Sequence, residues 1–479
     1  MKSLFKNSLY NIVYKLFMIA FPLVSSAYVS RILLPTGVGK VAYAQNIASY
    51  FITFAALGVG SYGVREIGKN QNNKSQYSRT VIELLIITFI STLICSLIYY
   101  GMVFSLPYFQ NNKTLYYAVG IQLILTAANV DWFYQGMEEY GYITIRSVII
   151  KILTLIGIFT FVKTKDDLVP YALLSSIALA GNNIVNVIHL KKYLVKIDLH
   201  KIELKRHIRP LLVLLSTGFA VELYTKLDTT TLGMLTSEEC VGYYNYATKI
   251  TSIVVNLAAS VSTILLPRFS LYREQNRLDQ LKKTIENAQA AILFISIPAV
   301  MGIIITAKDI MSFLFGEAFL PAVATVQILA VLVIVKSIGN LYGVQVLVAF
   351  GEEKTLFFTT VLGAISNVAM NIALIPILQQ NGAAIASVLS ELAVCIYQYI
   401  AARKHIHTEF DKIDLSKVII ATAIMGIIVY MIVHIVSNAF AAIVLSCSVG
   451  VFSYFALTFL LRIKMSNLVF ENIKTFLKI

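Results

Sequence analysis

Val38-Gly39-Lys40-Val41-Ala42-Tyr43-Ala44-Gln45-Asn46-Ile47 and Val241-Gly242-Tyr243-Tyr244-Asn245-Tyr246-Ala247-Thr248-Lys249-Ile250 are two versions of one ten-residue stretch, set 203 residues apart. Val, Gly, Tyr, Ala and Ile recur in register. The same offset carries Arg65 onto Arg268, and a looser echo sets Gly136-Met137-Glu138-Glu139 against Gly351-Glu352-Glu353. Each copy opens a long apolar run, so the chain reads as two related halves. The periodicity of those runs decides what the halves are made of.

Of 479 residues, 58% are hydrophobic and only 13% charged. A soluble domain carries about 25% charged residues, and a soluble fold of this size has no means of hiding so much apolar surface. The runs are continuous rather than alternating, which excludes a membrane barrel and leaves helices, each needing about 20 apolar residues to span a bilayer. The expected spans fall near residues 8–33, 39–64, 80–105, 115–135, 141–162, 168–190, 210–232, 241–267, 284–307, 322–349, 355–378, 382–402, 416–437 and 440–461. The first run follows Lys2 and Lys6 as a signal peptide would, but it is too long for one and lacks a small-residue cleavage pattern, so it reads as a retained span.

The fold class expected is thus an all-α membrane protein of 14 transmembrane helices. Two pseudo-symmetric six-helix lobes are followed by two extra helices. The domain limits are an N-lobe at 1–195, a cytoplasmic linker at 196–209, a C-lobe at 210–405, a final helix pair at 415–465 and a tail at 466–479. Parallel repeats related by an axis along the membrane normal are a transporter design.

The net charge of +14 distributes accordingly. With both termini inside, 27 of the 39 basic residues fall in cytoplasmic segments and 5 in outer ones, Lys40, Lys113, Lys163, Lys165 and Lys308. This is the positive-inside pattern, so the basic excess marks topology and nucleic acid drops out as a partner. The cysteines Cys95, Cys240, Cys395 and Cys447 are scattered singly, which excludes a metal cluster or redox pair. Gly37-Val38-Gly39-Lys40 is too short for a phosphate-binding loop, and Val41 stands where the metal-binding hydroxyl belongs. No GxSxG or HExxH pattern occurs and the outer loops are short. No catalytic residue, no metal ligand set and no cofactor is expected, apart from a coupling H+ or Na+.

Seven basic residues remain inside spans, Lys15, Arg31, Arg146, Lys151, Lys226, Lys249 and Lys336, and the acids there include Glu83, Asp131, Glu222, Asp228 and Glu391. Each costs about 2.5–3.5 kcal/mol at the bilayer centre unless it is paired, snorkelling or facing water. The seventh span holds Glu222-Leu223-Tyr224-Thr225-Lys226-Leu227-Asp228 followed by Thr229-Thr230-Thr231. Glu222 and Lys226 are one turn apart on a common face, either as a self-neutralising pair or as the lining of a polar cavity. Pro22 kinks the first span between Lys15 and Arg31. Arg146 and Lys151 are expected to pair structurally, with Glu138 or Glu139. Lys15, Arg31, Lys226 and Lys249 together define a cationic site for an anionic substrate, and Asp228 and Glu222 are the candidates for coupling to an ion.

Asp131-Trp132-Phe133-Tyr134-Gln135-Gly136-Met137-Glu138, followed by Tyr142-Ile143-Thr144-Ile145-Arg146, resembles the W-F-x-Q-G-x-E and Y-I-T-I-R signature of bacterial oligosaccharide flippases. These are the Wzx-like polysaccharide transporters of the MOP exporter superfamily. Residues 7–33 and the Val38 segment are similar to that family as well, and the likeness covers essentially the whole chain.

The resemblance implies a two-lobed transporter in the bacterial cytoplasmic membrane. It would move an undecaprenyl-diphosphate-linked oligosaccharide to the outer leaflet by alternating access, for capsule, exopolysaccharide or a related polymer. It also implies a cationic central cavity, a groove for the lipid tail beside the last two helices, and a polymerase and other assembly proteins as partners. A flippase for a teichoic acid precursor or another lipid-linked precursor is the alternative. A cation-coupled drug antiporter calls for an acid in the first span, and none occurs from Ser8 to Leu33. A polymerase or glycosyltransferase calls for a large outer loop.

Overall fold

A computed structural model describes residues 4–198, 200, 202–263 and 265–467, with the side chains of residues 4–16, 18, 19, 261 and 263 outside the described set. Among the described residues there is no strand. The helices are α1 (Leu4–Ala56), α2 (Val59–Asn70), α3 (Lys74–Ser105), α4 (Pro107–Gln110), α5 (Lys113–Thr126), α6 (Asp131–Gly136), α7 (Tyr140–Phe161), α8 (Leu168–Ala180) and α9 (Asn182–Leu190). There follow α10 (Lys205–Leu235), α11 (Glu238–Thr263), α12 (Leu266–Glu274), α13 (Leu278–Phe315), α14 (Val323–Ala330), α15 (Leu332–Gly339), α16 (Glu353–Arg403), α17 (Lys412–Ile435) and α18 (Ala439–Leu460). A 3₁₀ turn (Glu317–Ala322) leads into α14, and a π-helical stretch (Asn340–Leu347) extends α15.

Among the described residues, ten segments are long and apolar enough to cross a membrane. α1, with 53 residues, would be about 80 Å long if straight, far beyond a hydrocarbon layer of about 30 Å. It breaks at Leu34, whose backbone turns to φ 59°, ψ 174°. The cause is next in the chain. Pro35 has no N–H and disfavours a helical residue before it. α16, with 51 residues, breaks likewise at Gln379 (φ 52°, ψ −130°), three residues after Pro376. These breaks fall between the sequence spans 8–33 and 39–64, and between 355–378 and 382–402.

The chain divides into two compact units, residues 1–230 and 231–479. Unit 1 is centred on Tyr62, Ile67, Tyr77, Leu84, Trp132, Phe133, Tyr134 and Ile143, joined by Leu190 and Leu211. In unit 2, Phe269, Ile285, Ile292, Tyr342, Leu347 and Ala402 form one core. A second brings α17 and α18 onto α13 through Phe294, Met425, Val429 and Tyr454. Tyr454 Oη donates to the Phe294 carbonyl at 2.7 Å, satisfying a phenol where lipid offers it nothing. The two helices beyond the repeat are therefore built onto unit 2.

The compact boundary falls inside α10, not in the linker that separates the two sequence repeats. The first part of α10 is fastened to unit 1. Leu211 sits in its core, and Leu214 lies so close to Gly58 that an added Cβ there would meet Leu214 Cβ at 2.6 Å. Gly58 also has φ 72°, so glycine is required twice over at that turn.

Candidate substrate-handling site

On α10 the structure places Glu222 and Lys226 half-buried and Asp228 at 9% exposure. Among the described residues no ion pair joins Glu222 to Lys226, whereas Asp131–Arg146, Glu83–Arg206 and Lys464–Asp411 do pair. The self-neutralising alternative is not what forms. The threonines are less available than their number suggests. Thr225 Oγ1 donates to the Val221 carbonyl at 3.0 Å, and Thr230 Oγ1 to the Lys226 carbonyl at 3.1 Å. These hydroxyls serve the helix's own backbone.

Thr230 is the centre of a contact that the charge inventory missed. Asn46 Nδ2, on α1, donates to Thr230 Oγ1 at 2.6 Å, and the Tyr50 hydroxyl lies 2.7 Å from the same oxygen. Thr230 Oγ1 is thus in contact with three groups, the Lys226 carbonyl, Asn46 Nδ2 and the Tyr50 hydroxyl. Asn46 is only 3% exposed, and its Oδ1 has no hydrogen-bond partner among the described residues. A buried carbonyl left unpaired costs about 1–3 kcal/mol, which a hydroxyl of a bound molecule or a water would recover. The signal was present in the sequence: the 203-residue offset superimposes Asn46 on Lys249.

The remaining site candidates lie on other helices. Arg31 is exposed, three residues before the break at Leu34. The side chain of Lys15 lies outside the described residues. Lys249, half-buried on α11 of unit 2, sets its Nζ 4.3 Å from the centre of the Tyr246 ring, a cation–π contact that lowers the cost of keeping an ammonium in an apolar setting. In unit 1, Glu222, Lys226 and Asp228 share α10 with Thr230.

The Trp132 motif has a structural role. Trp132 lies flat against Gly63, where an added Cβ would stand 2.3 Å from the indole, and its Nε1 donates to the Asn129 carbonyl at 3.0 Å. Arg146 has Asp131 as a partner. Its Nη2 is 3.0 Å from Asp131 Oδ1, and Asn186 Nδ2 donates to the same carboxylate oxygen. The α6–α7 turn sets Asp131 and Arg146 facing one another across the motif, which sequence distance alone could not reveal. Among the described residues no acid pairs with Lys151. Its Nζ lies 4.9 Å from the Phe21 ring centre. Tyr142 stacks on His189 at 4.2 Å, and Gln71 Nε2 donates to the Gly136 carbonyl at 2.6 Å. The signature holds α2, α6, α7 and α9 together.

Residues 4–273 match the family described as polysaccharide biosynthesis protein, and the chain belongs to that family. It is 21% identical over 376 residues to a putative O-antigen transporter of Escherichia coli K12, covering 78% of this chain and 90% of that one. Among solved structures, the lipid II flippase MurJ in its inward closed conformation superposes with a TM-score of 0.75 at 16% identity, covering 95% of this chain and 99% of that one. An inward-facing multidrug transporter of the MATE family, in the MOP superfamily, superposes with a TM-score of 0.63 at 14% identity, covering 80% and 93%. The chain has the fold of these transporters, and among the described residues ten helical segments are long and apolar enough to cross a membrane.

Proposed function

We propose that this protein is a flippase for a lipid-linked oligosaccharide, carrying an undecaprenyl-diphosphate-linked repeat unit from the inner to the outer leaflet by alternating access. Family membership and the O-antigen transporter relative support the substrate class. The observation that carries the reading is the polar face of α10, where Lys226 stands in an apolar span without Glu222 as its counter-ion. A cation left uncompensated in a membrane calls for an anionic ligand, and a diphosphate meets that demand. Lys15, Arg31, Lys226 and Lys249 are assigned to the diphosphate or an acidic sugar, and Asn46 Oδ1 joins them as an acceptor for a sugar hydroxyl. Asp228 and Glu222 are assigned to coupling by H+ or Na+.

Fourteen crossings with both termini inside remain part of this reading. Support comes from the ten apolar segments, two of which (Ala20–Asn70 and Glu353–Arg403) run 51 residues and are broken at Leu34 and Gln379. α5 with α6, and α11, supply two more. The lobe limits 1–195 and 210–405, the linker 196–209, the helix pair 415–465 and the tail 466–479 follow from the sequence repeat. A polymerase and other assembly proteins are the proposed partners, and capsule or a related surface polymer the product.

Deleting the gene tests this. Lipid-linked repeat units should accumulate on the inner leaflet and surface polymer should vanish. Normal surface polymer in the deletion strain would exclude the reading.

A further inference from the structure

α10 is poorly held by packing. Leu212, Val213, Val221 and Met234 are all more than half exposed, and in lipid there is no hydrophobic force pressing a helix onto its neighbours. A helix carrying functional charges needs other anchors, and the one at its amino-terminal end is made of buried charge.

Glu83, on α3, is completely buried. One carboxylate oxygen accepts from the main-chain N–H of Glu203 at 2.7 Å and from Arg79 Nε at 2.9 Å. The other receives Arg206 Nη2 and lies 2.9 Å from His207 Nε2. The far side of that imidazole, Nδ1, is 2.8 Å from the Tyr62 hydroxyl of α2. One side chain thus grips the segment entering α10, the first turn of α10 and, through His207, α2.

The same device recurs in unit 2. The repeat offset of 203 carries Arg79 onto Lys282 and Glu83 onto Glu286. Glu286 Oε1 accepts from the main-chain N–H of Glu409 at 3.0 Å, with Lys282 Nζ at 3.8 Å. Glu203 precedes α10 and Glu409 precedes α17, so in each half this carboxylate holds the segment that leads out of the half. Recurrence in both halves separates the arrangement from an isolated structural ion pair.

We propose that Glu83 is a positioning residue for transport. It clasps the amino-terminal end of α10 to unit 1 and thereby fixes where Lys226 and Glu222 stand, and Glu286 is its counterpart at α17. This rests on the flippase reading for its functional consequence, while the clasp itself is a statement about α10.

The test uses the full-length protein in proteoliposomes, with all four native cysteines replaced and spin labels at Gln76→Cys on α3 and Ile208→Cys on α10. The distance distribution between labels is recorded for the parent, Glu83→Gln, Arg206→Gln and the double variant. Translocation of a fluorescent undecaprenyl-diphosphate oligosaccharide is measured on the same preparations. The expected result is one narrow distance in the parent, broadening in each variant, and translocation reduced at least ten-fold. The double variant should be no worse than Glu83→Gln, because the groups act as a unit. If Glu83→Gln does not assemble, Arg206→Gln, whose side chain is partly exposed, carries the decision.

An unchanged distance distribution overturns the clasp, whether or not translocation falls. A broadened distribution with parental translocation overturns its role in transport. If the parent itself moves no lipid, the flippase reading fails while the distances still decide the clasp.

Discussion

The two halves carry the same parts with different chemistry. At the repeat position in the first half stands Asn46, neutral, buried and bonded to Thr230; in the second stands Lys249, cationic and lying over Tyr246. On the third helix, Glu83 is sealed among Arg79, Arg206 and His207, whereas its counterpart Glu286 is 30% exposed, with Lys282 at 3.8 Å and the Glu409 N–H at 3.0 Å. Duplication preserves the backbone plan, because helix ends, breaks and packing depend on many residues at once. It leaves single polar positions free to diverge. Function therefore concentrates where the copies differ, and architecture where they agree.

The largest effect should come from erasing a difference. Lys249→Asn makes the second half chemically like the first, and it should lower polymer export at least ten-fold at unchanged membrane level. Lys226→Ala should do the same. Full export by either variant, scored by surface polymer with protein quantified in membranes, would remove that residue from the site.

Next comes the clasp as a matter of stability. Removing one partner of a buried charge cluster costs about 3–5 kcal/mol, whereas an exposed pair is worth about 0–1 kcal/mol. Glu83→Ala should consequently lower the unfolding temperature in detergent by several degrees and Glu286→Ala by far less. Equal shifts would mean that the two clasps are energetically alike.

Glycines sharpen the same contrast. At Gly63 an added Cβ would meet the rigid Trp132 indole at 2.3 Å, and at Gly343 it would meet the Gln398 amide, also at 2.3 Å. The indole has nowhere to go, whereas the amide ends a flexible chain. Gly63→Ala should cost about 1–3 kcal/mol, the range for overpacking, and Gly343→Ala less than 1 kcal/mol. The reverse order in thermal unfolding would contradict the rigid-neighbour argument.

The smallest effect lies at the entrance to α17, in the segment that Glu286 holds. Asp411 is pushed below the usual carboxylate range, chiefly by Lys464 and by the Asp414 N–H that it caps. A depressed folded-state pKa means that its stabilisation is present above the ordinary aspartate range and is lost as pH falls through the depressed value. Asp411→Asn should cost under 1 kcal/mol at neutral pH. The difference between variant and parent should vanish in acid. A difference that grew toward acid would reverse the sign.

Much of the fold was legible in the sequence because span length and apolarity are local properties. The break at Leu34 follows from Pro35, which is itself visible in the chain. What lay beyond the sequence was pairing. Asp131 faces Arg146 because of how α6 turns into α7, and Glu83 finds Arg206 across 123 residues. The site was half legible: charges announce themselves in an apolar run, but Asn46 is neutral and is singled out only by an orphaned carbonyl and its register with Lys249.

Translocation measured directly tests the central claim best. Purified protein is reconstituted in vesicles carrying a fluorescent undecaprenyl-diphosphate oligosaccharide, and leaflet exposure is read by quenching from outside. Wild type should equilibrate or pump the lipid between leaflets while Lys226→Ala stays near the protein-free rate. A wild-type rate equal to that of empty vesicles, or a Lys226→Ala rate equal to wild type, would contradict the account.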